Sequence, residues 1–158
     1  YVTGIPMGQG MTRKVFAALD EAFRTGRDQR PAGERGLDSA RISDKPALVI
    51  GEAVWAASMC RALEEDFGMP ARALCPLELS ARVLDGQDLQ CTGEVEIASS
   101  MEKASLVIAD PLYKGVLPLG VPFLEFPHEG YSGRIWRKEI PVFTGENWNN
   151  WMKKGLEK

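Results

Sequence analysis

Hydrophobic positions change their spacing several times along this chain, and each change marks an element. Val15, Phe16, Leu19 and Phe23 recur at helical spacing and predict one stripe of a helix over 12–25, capped by Thr12 and stopped by Gly26. At Lys45 the pattern switches. Residues 46–50 (PALVI) are apolar without alternation and end in Gly51, the mark of a strand buried on both faces. A helix over 52–67 follows, with Val54, Trp55, Ser58, Met59, Ala62 and Leu63 on its buried stripe. Glu52 complements its N-terminus, while Gly68 and Pro70 stop it. Residues 71–74 read as a strand, 77–84 and 94–101 as helices, and 105–109 (SLVIA) and 121–126 as two further parallel strands. The tail, 144–158, is amphipathic: Trp148, Trp151, Met152 and Leu156 share a face, and Thr144 caps it.

Strands alternating with helices predict an α/β fold, Rossmann-like, with a mostly parallel sheet flanked by helices and an N-terminal helical arm. The expected organisation is a helical arm over 1–44, holding a second helix near 34–42, a Rossmann-like domain over 45–143, and the C-terminal helix 144–158 packed on that domain. Ligands of such sheets lie beyond the carboxyl ends of the strands. Those ends are Gly51-Glu52, Cys75-Pro76, Asp110-Pro111 and the loop from Pro127 to Gly133.

Composition narrows the partners. A net charge of −3 over 158 residues carries no basic stripe for nucleic acid. No long uncharged apolar run predicts a membrane helix. Cys60, Cys75 and Cys91 are odd in number and widely spaced. They fit a reducing cytoplasm, and they lack the close pairs of a zinc or iron–sulfur site. The start at Tyr1, within what reads as strand and loop, suggests a domain of a longer protein.

The candidate chemistry sits after the last strand. His128 is the only histidine. Beside Glu129 it could serve as acid/base, metal ligand or proton relay, or simply as a hydrogen-bonded structural residue. Tyr131, Ser132 and Arg134 add hydroxyls and a cation, either as the rim of an anion or cofactor site or as a surface turn. No metal site or catalytic set can be assembled from the sequence. Gly51 stands alone, without the clustered glycines of a phosphate cradle, and its acidic neighbour opposes a phosphate; it reads as the turn into the helix. The glycine-rich run from Gly4 to Gly10 is open between a cleft-lining loop and a plain turn.

Taken in order, these segments resemble the C-terminal part of the nitrogenase component 1-type oxidoreductases. That family holds the nitrogenase molybdenum–iron protein subunits, their cofactor-assembly scaffolds and the dark protochlorophyllide and chlorin reductases. Pro6-Met7-Gly8 with Thr12, Phe16 and Leu19 is similar to the family's entry into its helix. Glu34-Arg35-Gly36-Leu37-Asp38-Ser39-Ala40 resembles its Glu-Arg-Gly helix, and 45–51 the strand that follows. Residues 105–109 with Val121-Pro122-Phe123 resemble a strand pair, and Tyr131-Ser132-Gly133 the closing Tyr-Ser-Gly loop. The resemblance implies a cytoplasmic subunit of Rossmann-like units, paired with a homologous component 1 subunit and fed by an ATP-driven iron protein. It also implies an iron–sulfur or related metallocluster in the full-length protein, with none on this segment. The catalytic nitrogenase subunit carries a metal-ligating His three residues past the Gly of Tyr-Ser-Gly; here that position is Trp136, which cannot ligate metal. The expected role is therefore a wall of a metallocluster or substrate cleft and part of a subunit interface in a reductase. The alternative is a non-catalytic α/β binding or cofactor-assembly module that docks a partner through Trp148, Trp151 and the arm.

Overall fold

A computed structural model describes residues 2–31, 45–77, 84, 86–128, 131–132 and 142–157. Among them are five strands: β1 (Ala47–Ile50), β2 (Ala71–Cys75), β3 (Leu89–Gln90), β4 (Leu106–Ala109) and β5 (Phe123–Glu125). They form one sheet in the order β3-β2-β1-β4-β5, and every pairing is parallel. The helices are α1 (Gly8–Thr25), α2 (Ala53–Phe67), α3 (Glu94–Glu102) and α4 (Glu146–Leu156), with a 3₁₀ helix over Pro111–Val116. The fold is α/β and Rossmann-like, as the strand–helix alternation predicts. The expected second helix near 34–42, and residues 78–83 of the helix expected over 77–84, lie outside the described residues.

The uninterrupted apolar runs have a simple cause. Every residue of β1 and of β4 is buried, because helices cover both faces of the sheet. Alternate residues enter different cores. Ala47, Val49, Leu106 and Ile108 join Met11, Met59, Leu63 and Trp148 on one side. Leu48, Ile50, Val107 and Ala109 join Ile97 and Met101 on the other. Thus α1, α2 and α4 form one layer and α3 the opposite one.

Two expected helix starts are corrected. Helix α1 begins at Gly8, four residues before Thr12, whose hydroxyl instead donates to the Gly8 carbonyl within the helix. The cap comes from a distant element: the Asp66 carboxylate on α2 accepts the N–H groups of Gln9 and Gly10, each at 2.8 Å. A carboxylate there both satisfies orphan donors and complements the helix dipole. Gly8 has φ +58°, and a Cβ on it would meet the Asp66 carboxylate and lie 2.7 Å from Trp148 Cδ1. The glycine-rich run from Gly4 to Gly10 thus opens α1, with its last three residues inside the helix.

Thr144 does not cap α4. That position belongs to Gly145, at φ 63°, while Thr144 forms an isolated parallel bridge with Gly8. Gly8 N–H donates to the Phe143 carbonyl at 2.8 Å, and Gly145 N–H donates to the Gly8 carbonyl at 3.1 Å. Backbone pairing to α1 holds Thr144 extended, so its hydroxyl is not placed to cap.

The expected stripe of α1 is also corrected. Val15 is buried and Leu19 partly so, but Phe16 is 63% and Phe23 87% exposed. The buried face consists of Gly8, Gly10, Met11, Val15 and Ala18. Small residues let the helix sit close to α2; a Cβ on Gly10 would lie 2.7 Å from Glu65 Cβ. The larger phenylalanines are left on the far side. On α4, Trp148 and Met152 are fully buried, Trp151 is half-buried, and Leu156 is 50% exposed.

Candidate functional site at the carboxyl ends of the strands

In the observed strand order the chain moves outward from β1 through β2 to β3, then resumes on the other side of β1 with β4 and β5. The reversal lies between β1 and β4, where open α/β sheets place their ligands. Beyond β1 stand Gly51 and Glu52; beyond β4 stands Asp110.

Both acids are bound to backbone. The Glu52 carboxylate accepts the N–H of Val54 at 2.9 Å and of Trp55 at 3.1 Å, and so caps α2 as the sequence predicts. Two of the donors that could hold a phosphate at this helix N-terminus are therefore already engaged. Gly51 has its own reason: a Cβ there would lie 2.8 Å from Cε3 and 2.9 Å from Cζ3 of Trp55. The bare backbone lets the indole rest against the end of β1.

Asp110 is 2% exposed. One carboxylate oxygen accepts Leu112 N–H at 3.0 Å and starts the 3₁₀ helix. The other accepts His128 N–H at 2.9 Å and Ser132 N–H at 3.3 Å. Charge-assisted bonds of this kind are the stronger class. A side chain at the end of β4 thus fixes the turn that follows β5. Within that turn, Tyr131 and Ser132 N–H both donate to the His128 carbonyl, at 3.0 and 3.1 Å.

Of the residues expected at the site, His128, Tyr131 and Ser132 come together, while Arg134 lies outside the described residues, as do Glu129, Gly133 and Trp136. The His128 ring sits 6.0 Å from Trp55 and 5.3 Å from Tyr131, centre to centre. Tyr131 in turn meets Tyr113 at 6.4 Å. Burial pushes the Tyr131 phenol up to about 12, and Tyr113, Cys75, Glu52 and Asp110 add to the rise. Tyr113 is raised for the same first reason, then by Asp110, Cys75 and Cys91. The Cys75 thiol is raised by burial, against a backbone bond to Leu77 that lowers it. These groups therefore stay neutral at ordinary pH beside two carboxylates.

Among the described residues, two buried hydroxyls have no hydrogen-bond partner: Tyr131 Oη and the Oγ of Ser132, a residue 6% exposed. Among the described residues, no three His, Cys, Asp or Glu side chains converge to hold a metal ion. Cys60 is buried inside α2, and Cys91 is raised by burial and by Glu96.

Sequence reasoning placed Asp110 at a strand end without giving it a role, and passed over Tyr113 and the capping reach of Asp66. Asp110 did carry a signal, since an Asp before Pro at the end of an apolar run is a capping pattern. Its reach to His128 and Ser132 had none, because those partners lie 18 and 22 residues away.

No helix among the described residues is long and apolar enough to cross a membrane. No family model and no curated protein matches the chain.

Proposed function

We propose that this chain is a Rossmann-like domain of a nitrogenase component 1-like oxidoreductase subunit, forming one wall of a metallocluster or substrate cleft and part of a subunit interface. The observation that carries the reading is the position of the Tyr131–Ser132 turn. It stands over the strand ends, tied to Asp110 at the reversal of strand order, where this fold takes its ligands. The ordered motifs from Pro6-Met7-Gly8 to Tyr131-Ser132-Gly133 support the same assignment. In this reading the partners are a homologous component 1 subunit and an ATP-driven iron protein, in the cytoplasm.

In this reading the cluster is held by residues elsewhere in the subunit, as the resemblance implies, and no step is drawn through it here. Trp136, where the catalytic nitrogenase subunit has a ligating His, turns the assignment away from molybdenum-cofactor catalysis and toward a divergent reductase or assembly scaffold.

The test is to purify the full-length protein without oxygen and measure iron content and thiolate-to-iron absorption. Iron with that absorption supports the assignment. With neither in the full-length protein, this reading loses its redox role, and the alternative of a non-catalytic binding or assembly module then stands. Docking of such a module through Trp148 is disfavoured, since that ring is fully buried against Phe67, Phe143 and Trp151.

A further inference from the structure

We draw no further inference here: the strongest candidate, the outer face of α1 where Phe16 is 63% and Phe23 87% exposed, is an apolar helix face, and nothing in the structure shows what covers it.

Discussion

The carboxylate of Asp110, at the end of β4, accepts the backbone N–H of His128, beyond β5, at 2.9 Å. That bond crosses between neighbouring strands and sets where the turn carrying Tyr131 and Ser132 begins. Removing it leaves the donors at Leu112, His128 and Ser132 without their acceptor, with Ser132 N–H in a buried place and the other two partly buried. Asp110→Ala is expected to cost about 2–4 kcal/mol in urea unfolding. Asp110→Asn is expected to fare little better, because its amide N–H₂ would face donors. The NMR amide signals of His128 and Ser132 are expected to move in both variants; an unchanged turn would refute the anchoring role.

Two glycines with left-handed backbone separate conformation from space. Gly26, at φ 67°, has nothing within 4 Å of where a Cβ would stand, so Gly26→Ala is expected to cost only about 1 kcal/mol. Gly8, at φ 58°, adds collisions with Asp66 and Trp148. Gly8→Ala is expected to cost about 3 kcal/mol or more, since it also displaces the α1 cap. Thermal unfolding of the two variants side by side measures the difference.

The raised Tyr131 phenol makes stability depend on alkaline pH. Its folded pKa, about 12, lies above the ordinary 10.0, so the unfolded chain releases this proton first. With fewer protons on the unfolded state, stability is full below pH 10 and falls as pH rises toward 12. Tyr113, raised in the same direction, adds to the slope. Urea unfolding between pH 8 and pH 11 is expected to show a shallower decline in Tyr131→Phe than in the parent chain. Equal slopes would mean that the phenol is not held neutral by its surroundings.

Phe16 and Phe23 offer a test of which face of α1 is buried. Phe16→Ser and Phe23→Ser are expected to change stability by no more than about 0.5 kcal/mol, as exposed positions do. Met11→Ala, at a residue 1% exposed, is expected to cost about 2–5 kcal/mol. Chemical denaturation of the three variants decides between the stripe that the spacing of large apolar residues suggests and the one observed.

Much of the scaffold was legible. The PALVI and SLVIA runs are strands buried on both faces, and their unbroken apolarity says so directly. Helix α2 carries its own start in Glu52 and its own stop in Gly68, each acting within one turn. The two-residue β3 escaped notice because it is too short for any period. It lies parallel to β2, with Leu89 opposite Leu74, and the nearby Asp88 carboxylate accepts Ala73 N–H at 2.9 Å. At the site, His128, Tyr131 and Ser132 were legible as hydroxyl and imidazole chemistry on a strand-end loop. What they face was not.

The sequence by itself determined the fold class, the central strands and most helix limits, because periodicity, capping and glycine stops operate over a few residues. Tertiary structure alone decided that Asp66 starts α1 from 56 and 57 residues away, that Gly10, Met11, Val15 and Ala18 and not the phenylalanines form its buried face, and that Asp110 holds the His128–Ser132 turn. Each depends on which group of a distant segment arrives to satisfy a donor or fill a surface. No local pattern contains that information, since the same donors and the same helix would accept any partner that packing brought within reach.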